Sequence, residues 1–240
     1  MIDDLSQAYE LAFKGKVRDI YVIDNDKLLI YTSDRISAFD FTFDDPVIDK
    51  GIVLTKMAKF WFDKTKHIVK NHLCETSLDL SSKLKERCMV VTKTEVVPIE
   101  AIVRGHLAGS AWETYREDKM INGEVTEDKL DKYEKLNKPI FTPSTKADVG
   151  DKDINISKAE MDKIIGKELA DEIFTPDCSR FWLYDNKLGK INYDAFDKQF
   201  FRDYLIKSNW DNEQIQIPDN IKKNIISKYN TAYELITNDE

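Results

Sequence analysis

Glycine, proline and cysteine are all scarce in this sequence. Eight glycines and six prolines in 240 residues leave no room for a collagen-like or Pro/Gly-rich low-complexity chain. Cys74, Cys88 and Cys178 are the only cysteines and form no C-x-x-C pair. Neither a disulfide framework nor a zinc site is indicated, and a reducing cytoplasm is the expected compartment. No apolar run approaches the ~20 residues needed to span a bilayer. The opening stretch, MIDDLSQAYE, is too polar and acidic to read as a secretory signal. Basic charge is not in excess either. A net charge of −8 argues against a general nucleic-acid backbone binder, so any phosphate binding must be local, through a few chosen Lys and Arg.

What is present fits a soluble α+β protein of one large or two small domains, long enough to bury a core without staples. Residues 15–33 read as two strands around the turn DND. The segment from Val53 carries apolar residues at helical spacing. CMVVTKTEVVPIEAIVRGHL, from Cys88 to Leu107, is rich in β-branched residues and reads as one or two strands, broken or edged at Pro98. A short helix follows near Ser110. Residues 139–156 are rich in Pro, Thr, Asp and Gly and read as a long loop, a length usually functional or disordered. Ser157 and Glu160 have capping-box spacing and predict a helix start. Two C-terminal helices are expected near 194–208 and 219–236, the second announced by Pro218. FTP occurs twice without matching flanks, so no internal repeat is indicated.

Five stretches carry candidate chemistry. In GKVRD, Lys16 and Arg18 fall on one face of an expected strand beside Gly15, where they would hold phosphate oxygens or simply guard a solvated edge. TSDRISAFD places Ser33, Asp34, Arg35, Ser37 and Asp40 at a strand end, a common place for a site and equally for an Asx-turn or helix cap. In VVPIEAIVRGHLAGS, Glu100 and Arg104 interrupt an apolar stretch. A buried charge left without its partner costs roughly 3–5 kcal/mol, so these two need each other or a ligand. Gly105, Ala108 and Gly109 permit close backbone approach, and a helix from Ser110 would aim N–H groups at an anion. TPSTKADVG offers hydroxyls, Lys146 and Asp148. DEIFTPDCSRFW crowds Asp171, Glu172 and Asp177 beside Ser179 and Arg180. That pattern suits Mg²⁺ held between carboxylates and substrate phosphates, or an acidic turn neutralised by Arg180.

Taken in order, GKVRDIY, SDRISAFD, DKG, VVPIEAIVRGHLAGSAW, FTPSTKA, NIS, TPDCSRFW and FDKQFFRDYL resemble the SAICAR synthetase (phosphoribosylaminoimidazole-succinocarboxamide synthase) family from about residue 10 onward. The resemblance implies a purine-biosynthetic ligase. ATP phosphorylates the carboxylate of carboxyaminoimidazole ribonucleotide (CAIR), and the amine of L-aspartate displaces phosphate to form an amide. It implies that Lys16 and Arg18 hold ATP phosphates and that the backbone of Glu95 to Val97 meets the adenine. Arg104, Ser110, Ser179 and Arg180 would hold CAIR, and Asp34, Ser37 and Lys146 would line the CAIR and aspartate region. Asp171 would bind Mg²⁺, and Arg104, Lys146 and Asp171 would act in catalysis. The implied fold is two α+β subdomains, an antiparallel-sheet nucleotide-binding part over residues 1–97 and a second over 98–240 that carries the C-terminal helices. A cytoplasmic monomer or homodimer acting on small molecules is expected, with no nucleic-acid or membrane partner.

Two departures from the family pattern stand out. Its second signature, of the form D-x-K-x-E-[FI]-G, is absent, and GKELA runs directly into DEIFTPD. Lys152 stands where the family places a histidine. They define the alternative reading, a derivative that keeps the ribonucleotide phosphate site but has lost or changed synthetase activity.

Overall fold

The computed structural model describes residues 1–2, 4–121, 124–125, 129–145, 154–157, 160–161, 175–178, 182–185, 190–192 and 196–238. The chain forms two compact units: Met1–Thr94 together with Glu168–Glu240, and the intervening Glu95–Lys167.

The first unit is built on a four-stranded antiparallel sheet. Its strands run in the spatial order Glu10–Lys14, Arg18–Val22, Lys27–Thr32, Cys88–Thr92. The hairpin around DND forms as expected, with Arg18 opposite Thr32 and Val22 opposite Leu28. Its first strand begins at Arg18, however, so Lys16 lies in the preceding bend rather than on the strand face. The reason is local: the Gly15 N–H donates to the Arg18 carbonyl at 2.7 Å, closing a tight turn. A Cβ on Gly15 would come within 2.7 Å of that same oxygen, so glycine is required there.

The helix Lys50–Thr65 starts three residues before Val53, and its buried face reads Lys50, Val53, Leu54, Met57, Ala58 and Phe62, the 3.6-residue stripe of a core helix. Val53 and Leu54 join a core with Ile36, Phe43 and Val47 from the short strand pair Ile36–Ala38 and Phe41–Phe43 and its following loop. The other wall of that core comes from the far end of the chain. Phe201 and Leu205 of the helix Gln199–Lys207, and Ile225 and Tyr229 of the helix Asp219–Thr237, complete it. Phe43 and Phe201 meet edge to face with ring centroids 5.1 Å apart, a favoured aromatic geometry. Pro218 caps the last helix as its sequence position predicts. The sequence had grouped these helices with the second subdomain; here they pack into the first unit, because the apolar stripe of Lys50–Thr65 needs a cover.

In the second unit the Cys88–Leu107 stretch leaves the first sheet after Thr92 and resumes as two short strands, Ile99–Glu100 and Val103–His106. Val103–His106 pairs with Lys135–Phe141, putting Arg104 opposite Ile140. Residues 139–141 are therefore strand, not loop. Pro139 is tolerated because the register shifts between Lys135 and Ile140, sparing the ladder a missing donor. Ser144–Thr145 pairs with Ile99–Glu100. Leu107, Ala111, Tyr115, Ile121 and Leu136 form this unit's own small core. The capping box is present, with the Ser157 N–H donating to Glu160 Oε2 at 2.8 Å and the Glu160 N–H to Ser157 Oγ at 3.3 Å.

Gly51 sits where the helix meets the end of the central strand. A Cβ there would fall inside van der Waals contact of the Thr32 carbonyl oxygen and within 2.9 Å of that of Ser33. Gly51→Ala is expected to destabilise the protein by about 2–3 kcal/mol through backbone displacement, read as a lower urea midpoint at unchanged slope.

Candidate active site

Lys50 occupies the first turn of its helix with its side chain fully buried. A cation at the positive end of a helix is electrostatically misplaced, and a buried one needs a partner. It finds Asp177, whose Oδ2 accepts from Lys50 Nζ at 3.1 Å. Lys198 Nζ lies 3.4 Å from the same oxygen, and Tyr229 Oη donates to Asp177 Oδ1 at 2.6 Å. Burial alone would raise the Asp177 carboxyl, but Lys50, Lys198 and the Tyr229 hydroxyl together hold it well below the usual carboxylate range. Lys198 also donates to Ser37 Oγ at 3.4 Å. One carboxylate thus ties the helix Lys50–Thr65, the turn at Thr175–Cys178, the helix Gln199–Lys207 and the C-terminal helix to the strand that carries Ser37.

This corrects the reading of Asp177 as one of a crowd of metal-type acids, since its oxygens are engaged by two ammonium groups and a phenol. Asp171, Glu172, Ser179, Arg180, Lys146 and Asp148 lie outside the described residues. Among the described residues no three His, Cys, Asp or Glu side chains converge to hold a metal ion.

Asp34 is likewise engaged. Its Oδ1 accepts from the Gly51 N–H at 3.0 Å and from Arg87 at 3.0 Å. Asp49, the residue before the helix, adopts a left-handed conformation (φ 69°) and makes no side-chain cap. Asp34 supplies that cap from the neighbouring strand end, placing a negative charge at the helix N-terminus. Arg35 turns the other way. Its guanidinium grips Asp19 through two bonds of 3.0 and 2.6 Å and donates to the carbonyls of Gly15 and Lys16 at 3.0 and 3.1 Å. A single fork therefore fixes the basic turn from beneath. The Lys16 ammonium is left at the surface, 2.6 Å from Asp40, and Lys16 and Asp40 shield each other from the bulk only weakly.

Glu95 opens the second unit, and the Val97 carbonyl accepts from the Ile99 N–H at 2.7 Å, closing a tight turn at Pro98. Farther on, Arg104 is drawn into a cradle. It donates from Nε to Thr142 Oγ1 at 2.8 Å, from Nη1 to the Ala108 carbonyl at 3.0 Å, and from Nη2 to Ser110 Oγ at 3.0 Å. Ser110 begins the helix Ser110–Asp118, and Gly109 before it has φ 61°, a conformation natural to glycine. Guanidinium, hydroxyl and the first N–H groups of the helix thus share one spot, an arrangement suited to a phosphate. Neighbouring His106 is less basic than usual, because it is partly buried and lies near Lys135.

A model of the SAICAR synthetase family matches residues 11–169 and 166–217. The chain belongs to the SAICAR synthetase family. The phosphoribosylaminoimidazole-succinocarboxamide synthase of Halorhodospira halophila is 36% identical over 282 positions, covering 96% of both chains. That of Actinobacillus succinogenes is 38% identical over 276, covering 94% of this chain and 96% of its own. The SAICAR synthase of Saccharomyces cerevisiae, solved in complex with SAICAR, superposes with a TM-score of 0.84 at 30% identity, covering 100% of this chain and 98% of its own. The first two alignments are longer than the 240 residues of this chain, so those two relatives carry residues with no counterpart here. The two pieces of the family match meet at 166–169, where GKELA runs into DEIFTPD and the second signature is absent.

Lys50, Lys198 and Tyr229 were not singled out by sequence. The available signal was Lys50 itself, which falls on the apolar stripe four residues before Leu54. Asp177→Asn is expected to cost roughly 3–5 kcal/mol by removing the charge that two buried ammonium groups share. The sign of the pH effect follows from a depressed carboxyl. The stabilisation from Asp177 is complete above its ordinary value of 3.8 and is lost as pH falls toward its lower folded value. Urea unfolding at pH 7 and pH 3 should show this acid loss in the parent and a smaller one in the variant.

Proposed function

We propose that this chain carries out the reaction of its family, joining L-aspartate to CAIR through an acyl phosphate at the expense of ATP. The observation that supports this most directly is the Arg104 cradle. Its three hydrogen bonds hold the guanidinium over the start of the helix Ser110–Asp118, where it is ready to grip the 5′-phosphate of a ribonucleotide.

On this reading Arg104 and Ser110 anchor CAIR, with Ser179 and Arg180 as further phosphate ligands. Lys16 and Arg18 neutralise the ATP phosphates from a turn whose carbonyls are pinned by Arg35. That pinning fixes the basic groups before the nucleotide arrives, so less ordering is lost on binding. The backbone from Glu95 to Val97 meets the adenine. Ser37 and Lys146 face CAIR and aspartate, whereas Asp34 serves by positioning, since its carboxylate already caps a helix and pairs with Arg87. Asp171 is the proposed Mg²⁺ ligand on family resemblance, and Mg²⁺ would supply charge neutralisation on the triphosphate. Three free cysteines suit a cytoplasmic setting.

The absent second signature is what favours a derivative without synthetase activity. Against it stands coverage of nearly the whole chain by relatives named as the synthase. ADP release that requires both CAIR and L-aspartate is the expected result; no release above background with both present would overturn the proposal. Arg104→Lys keeps the charge and loses the fork. It should raise KM for CAIR on the order of tenfold, the cost of one charged hydrogen bond, with little change in KM for ATP.

A further inference from the structure

The first unit contains a cavity of about 670 Å³ that none of the residues assigned to the reaction lines. It lies between the second half of the helix Lys50–Thr65, the irregular segment 70–80 and the strand Cys88–Thr92. Its size falls in the range of small-molecule sites, roughly 300–1,000 Å³. Its apolar lining comes from Leu29, Phe62, Leu80, Met89 and Val90, all buried.

Charge in the wall is lopsided. Lys59, Lys66, Lys70 and Lys85 contribute four ammonium groups against the carboxylates of Asp63 and Glu75. That local excess of cations stands on a chain whose net charge is −8. Asp63 and Lys66 already pair at 2.6 Å, which leaves Lys59, Lys70 and Lys85 in the wall against Glu75. Lys59 is more than half buried, and among the described residues its ammonium has no ion pair or side-chain hydrogen bond. Burial lowers its pKa, so an anion beside it would relieve a standing cost. Burial also pushes the Cys88 thiol up to about 12, which removes thiolate chemistry and leaves binding as the role.

The walls are anchored. Segment 70–80 is tied to the sheet by the Cys74 N–H to the Val90 carbonyl at 2.9 Å and the Thr92 N–H to the His72 carbonyl at 2.7 Å. Its far end is held by the N-terminal residues, with the Ile2 N–H donating to the Asp79 carbonyl at 2.6 Å and the Ser81 N–H to the Ile2 carbonyl at 2.9 Å. Between these anchors Glu75, Thr76 and Ser77 form an exposed rim.

We infer that this cavity is a second ligand site, separate from the reaction, that takes an organic anion with an apolar body, its acid group set against Lys59 and Lys85 and its body against Leu73, Leu78 and Leu80. The inference stands whether or not the chain is an active synthetase.

The test uses the full chain and the fluorescent anion anilinonaphthalene sulfonate. Saturable binding at one site per chain is expected, weakened at least about tenfold by Lys59→Met and several-fold by Lys85→Glu, and unchanged by Arg104→Lys. Octanoate should displace the dye, while inorganic phosphate at equal ionic strength should not. Circular dichroism checks that each variant is folded; Lys85, being exposed, carries the test should Lys59→Met not fold. Absence of saturable binding, an affinity indifferent to the lysine substitutions, or displacement by phosphate as effective as by octanoate would each overturn the inference.

Discussion

The first unit depends on a single buried carboxylate. Asp177 is the only acid within reach of Lys50 and Lys198 among the described residues, and those lysines come from helices more than 130 positions apart in the chain. The phenol of Tyr229 adds a donor rather than a charge. Beyond the carboxylate, Lys198 also reaches Ser37, to whose hydroxyl it is hydrogen bonded. Buried ion pairs are poor sources of net stability compared with well-packed apolar groups. Their persistence at a place that joins four segments to a strand of the proposed substrate region fits a role in fixing register there. A cluster that only filled space would be served as well by leucine.

A division of labour between neighbouring residues recurs around it. Asp34 and Arg35 are adjacent, yet one caps the helix Lys50–Thr65 and the other clamps the Gly15–Arg18 turn. Ser33, beside them, donates its hydroxyl to the Val17 carbonyl at 2.6 Å. Three consecutive polar residues thus join the helix, the sheet and the basic turn. A change at any of them would be felt at the others, since they share backbone and partners.

Much of this was legible in the sequence where the cause is local. Pro218, the Ser157–Glu160 capping box, the DND hairpin and the helix start at Ser110 were all readable because each is written within a few residues. Arg104 and Ser110 were expected at one substrate by resemblance, but the hydrogen bond between them was not read, since Arg104 was given Glu100 or a ligand as its partner. What escaped was set at long range. Nothing near Lys50 announces Asp177, and nothing near Asp34 announces Gly51 or Arg87. Asp177 looked like a metal ligand because its sequence neighbours are acids, whereas its spatial neighbours are lysines. Residues 139–141 looked like loop because Pro139 is a poor strand residue, and only the register shift opposite Val103–His106 makes room for it.

The order in which the first unit is assembled along the chain has a consequence for synthesis. Its sheet and the helix Lys50–Thr65 are made early, but the partners that cover Val53, Leu54 and Lys50 lie beyond residue 176. The second unit, Glu95–Lys167, is continuous and holds its own core. A ribosome delivering this chain therefore releases everything the second unit needs while the first still exposes an apolar stripe and an unmatched lysine. Domains tend to fold as their residues emerge, so the inserted unit can close first and its host last. The helix Asp219–Thr237, made after the second unit, works as the latch of the first.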